Sequence, residues 1–470
     1  MQKSFIKNLK KVHCIGAGGI GVSAVAKLLH LNGVAVTGYD NSKSEITAQL
    51  EAMGIGMRYG NEVAGSMSEI DLVIYSSAVP KNHPERAAVA RAKIKELSYF
   101  EFLGKFSADY ETIAVAGTHG KSTTTAMLGL IAEAAGLDPT VIVGSLVKTF
   151  PHGNLRVGKS KLLIVEACEY EEHFLELHPQ GLIITNIEAD HLDYFKNLDA
   201  IIQAFRKFIN LLPEDGILVL NNDNEPCHKM DFFKDIFITR FGINEKGTYR
   251  AENLRQGSGW NNFDLVKYGG KGTRVLAEMG LKIPGAHNVA NALAAASMAL
   301  EWGVEPRVIK NTLEDFAGIW RRFERIGEYN GATIFSDYGH HPTAIRATVQ
   351  AARDFFGSRR VVLAFQPHHH NRTKELFNEF VDSLMLPDVS IVSDIYDVAG
   401  REAEADQEVS SEQLVAKMKS KNPDRANQFI WSGDVASTKT LLEKIIKPYD
   451  IVIIMGAGNI YKIANELVSK

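Results

Sequence analysis

The chain has 470 residues, 45% hydrophobic and 23% charged, with a net charge of −4 and a pI near 6.4. At about 100–200 residues per domain this is a chain of two to four domains, three being the central expectation, with ample apolar content for sizeable cores. The charge balance gives no support to a nucleic-acid coat or a basic membrane-surface protein, and leaves room only for a local patch. Cys14, Cys168 and Cys227 are too few and scattered for a disulfide framework or zinc ribbon, and no apolar run approaches the ~20 residues of a membrane span.

The N-terminus, Met1 to Phe5, meets Lys10 and Lys11 before any long apolar stretch, so it does not read as a signal peptide. The expected location is the cytosol. Three short apolar runs then each end in a glycine-bearing turn. Val12–Ile15 leads into Gly16-Ala17-Gly18-Gly19-Ile20-Gly21 and a helical stretch to Leu31. Ile113–Ala116 leads into Gly117-Thr118-His119-Gly120-Lys121-Ser122 and a helix over Thr123–Ala135. Ile451–Met455 leads into Gly456-Ala457-Gly458-Asn459 and a helix to the end. A buried strand, a glycine turn and a helix open a parallel βαβ unit. Further strands are expected at Leu72–Tyr75, Leu162–Val165, Leu182–Thr185, Ile217–Leu220, Val361–Phe365 and Val389–Ser393. The expected fold class is α/β with mainly parallel sheets. Domain boundaries are expected near Ala108–Tyr110 and near Trp320–Phe323, and the glycine-rich Gly257–Gly272 is either β-structure or a long loop.

Gly16-x-Gly18-x-x-Gly21, followed by Asp40 at the end of the apolar run Val34–Tyr39, has the Rossmann arrangement. Its glycines let backbone approach a diphosphate, the helix start offers N–H donors, and the acid can bind a ribose hydroxyl or base. The alternative is that the glycines serve only tight helix–strand packing. Ser76 closes another strand at the same kind of edge, as a ligand contact or a plain turn. Gly117 to Thr123 is close to a Walker A loop, with Val115 at the place of its first glycine. Lys121 can neutralise β- and γ-phosphates and the Ser122 hydroxyl can bind Mg²⁺. Glu166 ends a strand where a metal-directed acid is expected. His191 follows another strand and is a metal ligand or a surface histidine, since Mg²⁺ prefers oxygen ligands. An NAD-dependent oxidoreductase would leave the second loop unexplained, and a nucleotide switch is the remaining alternative class.

Together these pieces resemble the Mur ligases, the ATP-dependent amide-forming enzymes of peptidoglycan precursor synthesis. The resemblance spans essentially the whole chain. It rests on Ala114–Thr123, Asn186–His191, Pro284–Ala292 and Asp337–Thr343. Within the family, the Gly16 loop and Phe365-Gln366-Pro367-His368 resemble the alanine-adding branch. The resemblance implies three domains: residues 1–108 Rossmann-like and binding the UDP substrate through Gly16, Gly18, Gly19, Gly21, Asp40 and Ser76; residues 109–322 binding ATP; and residues 323–470 Rossmann-like and receiving the amino acid. By motif position, Gly117, Thr118, Gly120, Lys121, Ser122 and Thr123 hold the ATP phosphates. Ser122, Glu166 and His191 match the metal positions, with two Mg²⁺ sites implied. Asn288 and Asn291 match the adenine-side asparagines, and would otherwise be capping or core amides. Arg322 and Asp337 match the arginine and ribose acid that approach ATP, and would otherwise be a surface ion pair. Tyr338, His340, His368 and Arg372 fall where the amino acid is met, with His340 and His368 as candidates for the base that deprotonates its amine.

The implied reaction joins L-alanine to the lactyl carboxylate of UDP-N-acetylmuramate with ATP, in a cytoplasmic monomer or homodimer without nucleic-acid or membrane partners. Two departures bear on the acceptor. Glu166-Ala167-Cys168-Glu169-Tyr170-Glu171 stands where the alanine-adding enzymes usually read Glu-Ala-Asp-Glu-Ser-Asp, and His369 stands in place of an arginine. An imidazole can be neutral where a guanidinium is always charged. Glu169-Tyr170 and His341–Ile345 also resemble the murein tripeptide ligase, a recycling relative that adds a whole peptide to the same sugar nucleotide.

Overall fold

The computed structural model describes residues 5–60, 69–191, 194–231, 235–257, 259–270, 272–397 and 409–469. Residues 1–4, which bear on the reading of the N-terminus, and Ser258 and Lys271 of the glycine-rich stretch lie outside the described residues. The chain forms two compact units, residues 1–252 with 264–278 and 290–313, and residues 253–263 with 279–289 and 314–470.

In the first unit, strands β1 (Lys11–Ile15), β2 (Ala35–Asp40), β3 (Gly56–Tyr59), β4 (Leu72–Tyr75) and β5 (Glu96–Ser98) form an all-parallel sheet in the order β3-β2-β1-β4-β5. The chain runs from β1 outward to one side and then crosses to β4 on the other. Such a reversal leaves a crevice at the carboxyl ends of the strands, and the Gly16 loop stands there. The helix Ile20–Leu31 follows it at once and buries Val22, Val25, Leu28 and Leu29.

Next come β6 (Glu111–Ala116), β7 (Thr140–Ile142), β8 (Leu155–Arg156), β9 (Leu162–Glu166), β10 (Pro179–Ile184), β11 (Ile217–Asn221), β12 (Phe237–Gly242), β13 (Tyr249–Gly257), β14 (Trp260–Gly269) and β15 (Gly272–Leu281). Their order is β15-β14-β13-β12-β11-β10-β6-β9-β7-β8. β6 pairs in parallel with both β9 and β10, so the second glycine loop, which follows it, sits between their ends. Ile113, Ala114, Val115, Leu163, Ile164, Leu182 and Ile183 are at most 2% exposed, which is why these strands read as unbroken apolar runs rather than alternating ones. The glycine-rich stretch is β-structure: its glycines fall at the ends and turns of three long strands.

The third sheet holds β16 (Glu324–Tyr329), β17 (Ala332–Asp337), β18 (Val361–Phe365), β19 (Val389–Ser393), β20 (Phe429–Gly433) and β21 (Ile451–Met455) in the order β16-β17-β21-β18-β19-β20. Only the β16–β17 pair is antiparallel. The last helix, Lys462–Val468, begins later than the sequence suggests, because Gly456 at φ 151° and the turn after Asn459 delay it. Among the described residues no helix is long and apolar enough to cross a membrane.

Candidate active site

The second glycine loop has the backbone its sequence asks for. Gly117 (φ 135°) and Gly120 (φ 84°) lie in the left-handed half of conformational space, which L side chains seldom occupy. Space forbids a side chain as well. A Cβ on Gly117 would lie 2.0 Å from Thr185 Oγ1, and one on Gly120 2.2 Å from Asn291 Oδ1. The helix Lys121–Ala134 starts immediately, so its free N–H groups face the loop.

Lys121 Nζ donates to the carbonyls of Gly117 and Thr118, the latter at 3.1 Å, and to Glu169 Oε1 at 2.9 Å. Burial by itself would lower this lysine's pKa. The Glu169 carboxylate, with Cys168 and Glu166 behind it, more than reverses that and holds the pKa above its ordinary value. The lysine is therefore a fixed positive charge parked on protein acceptors that a phosphate can replace. Ser122 Oγ donates to Glu166 Oε1 at 3.0 Å, and the Gly144 amide donates to Glu166 Oε2 at 2.7 Å. A hydroxyl and a carboxylate held together are hard oxygen donors of the kind Mg²⁺ takes. Glu169 Oε2 also lies 2.9 Å from the lysine ammonium but accepts no aligned hydrogen bond; it is buried, a second oxygen suited to a cation. His191, at φ 53°, brings Nε2 to 3.9 Å from Glu169 Oε1 and rests its ring 4.8 Å from that of Tyr170. Among the described residues no three His, Cys, Asp or Glu side chains form a ready-made metal cluster. Thr118 is tied to the β10 edge through Glu188, whose amide donates to Thr118 Oγ1 at 2.9 Å, and Thr123 is buried in the helix's first turn. Burial pushes the Cys168 thiol up to about 11, so it is not a thiolate nucleophile at neutral pH.

At the first loop, Asp40 Oδ2 accepts the Gly18 amide at 2.7 Å, so the acid braces the loop itself. Gly16 (φ 76°) leaves no room for a Cβ beside Ser76 Cβ, 2.9 Å away, and Gly21 lies under the Tyr99 ring, 2.8 Å from the position of a Cβ. The Gly19 amide turns back to the Gly16 carbonyl at 3.0 Å. Burial, with Glu166 and Cys168 nearby, pushes the Tyr99 hydroxyl's pKa up, so the ring beside Gly21 is a neutral phenol.

Of the asparagines, Asn291 stands against Gly120, while Asn288 Nδ2 donates to the Pro284 carbonyl at 2.7 Å. In the second unit, Asp337 is not a surface acid. It is 8% exposed and accepts the Phe323 amide at 2.8 Å and the Gly339 amide at 2.6 Å. Burial raises its pKa in spite of those bonds and of Arg322 and Arg321. Arg322 lies 5.3 Å over the Tyr338 ring. Its neighbour Arg321 is the buried one, bonded to the Gly456 and Gly458 carbonyls and faced by Trp320, Tyr338 and Tyr461. His340 and His368 come together, ring centres 6.1 Å apart, and His368 stacks on Tyr396 at 5.7 Å. Burial, then His369, His340 and the Arg372 guanidinium, push His368 down to about 3. It is thus neutral and a weak base at physiological pH. His369 sits at φ 68° with Nδ1 3.5 Å from Asp397 Oδ1.

The sequence motif assigns Glu169 no role, although it stands three residues beyond the acid that ends β9, on the same sheet edge. Arg321 gave no signal beyond its proximity to Arg322.

Three family models cover the chain: "Mur ligase family, catalytic domain" matches residues 11–111, "Mur ligase middle domain" residues 115–299, and "Mur ligase, glutamate ligase domain" residues 321–458. The chain is 39% identical over 472 residues to a UDP-N-acetylmuramate–L-alanine ligase of Clostridium tetani, covering 100% of both, and 38% identical to one of Clostridium novyi, covering 98% of both. Among solved structures, a UDP-N-acetylmuramate–alanine ligase from Thermotoga maritima is similar at a TM-score of 0.83, with 28% identity and 98% of each chain covered. A murein peptide ligase from Psychrobacter arcticus shares the fold at a TM-score of 0.71, with 24% identity and 98% of each chain covered. Matched along its length by these models and relatives, and carrying a glycine loop whose lysine and serine meet two acids at and just beyond the end of the neighbouring strand, the chain belongs to the Mur ligase family.

Proposed function

We propose that this chain joins L-alanine to the lactyl carboxylate of UDP-N-acetylmuramate at the expense of ATP, in peptidoglycan precursor synthesis in the cytoplasm, as a monomer or homodimer without nucleic-acid or membrane partners. The observation that carries the reading is the set Lys121, Ser122, Glu166 and Glu169 at the carboxyl edge of a parallel sheet, in the same unit as a second, separate glycine loop. Residues 1–108, 109–322 and 323–470 are the working domains for the UDP substrate, ATP and the amino acid.

A carboxylate does not condense with an amine unaided. A carboxylate oxygen attacks the γ-phosphorus and the bond to the bridging oxygen breaks, giving an acyl phosphate and ADP. The alanine nitrogen then attacks the acyl carbon, loses a proton, and phosphate leaves. Such phosphoryl transfer asks the protein mainly for positioning and charge neutralisation. The Gly16 loop, with Asp40 and Ser76, holds the UDP portion. Gly117, Thr118, Gly120 and Thr123 wrap the ATP phosphates, and Lys121 exchanges its carbonyl partners for them. Asn288 and Asn291 face the adenine, and Arg322 and Asp337 its ribose and phosphates. Ser122 and Glu166 would hold one Mg²⁺ and His191 would stand near a second; when bound, the ions neutralise developing charge on the phosphate oxygens. Arg372, Tyr338 and His340 receive the amino acid. His340 is the better candidate for the amine's base, because His368 resists protonation.

The relatives' names favour L-alanine over a tripeptide. The test is a panel of amino acids and peptides with ATP and UDP-N-acetylmuramate, read by product mass. A chain that ignores L-alanine and joins L-alanyl-γ-glutamyl-diaminopimelate would overturn the acceptor and leave the ATP chemistry in place.

A further inference from the structure

One polar cluster is used by none of these steps. Lys27, on the helix after the first glycine loop, is 1% exposed, and Asn154, just before β8, is 0% exposed. Lys27 Nζ donates to Asn154 Oδ1 at 3.0 Å, to Gln49 Oε1 at 2.9 Å and to the His152 carbonyl at 2.9 Å. All three acceptors are uncharged, and burial pushes the lysine down to about 8. Asn154 Nδ2 in turn donates to the Ile20 carbonyl at 2.5 Å and to Ser23 Oγ at 2.9 Å. Both lie in the first turn of that helix, directly behind the glycine loop.

The other end of Asn154 leads to the phosphate loop. Its backbone carbonyl accepts the Val143 amide at 3.1 Å. The next amide, Gly144, donates to Glu166 Oε2, and Glu166 Oε1 accepts from Ser122. A Cβ on Gly144 would lie 2.7 Å from both Glu166 oxygens, so a side chain there would displace the carboxylate. Hydrogen bonds and one peptide link thus run from the first glycine loop's helix to the serine of the second.

Burying an ammonium without a counter-charge is costly, and an apolar side chain of similar length would hold the layers together with less penalty. What directional bonds add is registry. We infer that Asn154, held by Lys27, is a positioning residue that sets the first glycine loop relative to Glu166 and Ser122, so that the acceptor carboxylate and the γ-phosphate meet at reacting distance. The inference rests on the reading that the two loops hold the two substrates.

The test uses the full-length chain, with Asn154→Ala and, in case that variant folds poorly, Lys27→Met, which keeps the aliphatic stem. Steady-state kinetics are measured beside separate titrations of UDP-N-acetylmuramate and of ATP. Misplacement of about 1 Å can cost about 100-fold in rate. Asn154→Ala is therefore expected to lower kcat about 100-fold while each ligand's Kd stays within about threefold. Lys27→Met should lower kcat by less, with no loss of melting temperature. Unchanged kcat in both variants, or a fall in kcat/KM matched by the loss of one ligand's affinity, would overturn the inference. Wild-type turnover with L-alanine, measured alongside, reports separately on the reading beneath it.

Discussion

Gly18→Val tests whether the two glycine loops are separate nucleotide sites, as proposed. The Gly18 amide donates to Asp40 Oδ2 at 2.7 Å, and a Cβ there would stand 2.8 Å from that oxygen, 3.0 Å from Asp40 Cγ and 3.1 Å from Thr47 Cγ2. Thr47 is buried in the capping box of its helix and Asp40 ends β2, so neither yields freely. The carboxylate must swing away, and the loop loses a charge-assisted hydrogen bond of about 1.5–3 kcal/mol. If the braced loop is the conformation that binds the diphosphate, affinity for UDP-N-acetylmuramate falls about 10- to 150-fold. The γ-carbons of valine, which also block the backbone's approach, push it toward the upper end. Calorimetric titration of the folded variant with UDP-N-acetylmuramate and, separately, ATP gives the answer. ATP affinity should be unchanged. Asp40→Asn, which keeps an oxygen for the Gly18 amide, should lose less than Gly18→Val. An unaltered affinity for the UDP-sugar in folded Gly18→Val would refute the reasoning and make the loop a packing device.

Lys121→Ala should abolish product formation while UDP-N-acetylmuramate still binds by calorimetry; loss of that binding in a folded protein would contradict the division of labour. Glu169→Gln removes the group that reverses the effect of burial on Lys121, so the lysine's pKa falls. In the wild type the stabilisation carried by the raised lysine pKa is complete at neutral pH and, on the alkaline side, is lost as pH rises through a lysine pKa above the ordinary range. In the variant the alkaline decline of ATP affinity should begin at lower pH, and an unmoved decline would rule the pairing out as the cause. Arg372→Ala should raise the KM of the amino acid about 10- to 150-fold, as for a lost bond to a charged group, and leave that of ATP alone. Equal changes in both constants would place the arginine elsewhere.

Much of this protein is legible one segment at a time. Leu72–Tyr75, Val361–Phe365, Val389–Ser393 and Ile451–Met455 are strands with the limits their apolar runs suggest, because strands covered on both faces have no polar side to interrupt them. The two loops are equally local: a glycine at φ 84° and a lysine starting a helix are consequences of neighbouring residues. Where strand limits differ from expectation, as at Pro179–Ile184 and Leu162–Glu166, pairing with β6 set them rather than composition. The partners within the site are a different matter. Glu169 reaches Lys121 across 48 positions, Asn154 reaches Ile20 across 134, and Arg321 finds the Gly456 and Gly458 carbonyls across 135 and 137. Nothing in the periodicity of a segment says which distant segment it will lie against. That is decided when sheets and helices pack, and only then do a buried lysine or arginine and a braced carboxylate acquire the acceptors and donors that determine their charge and their use.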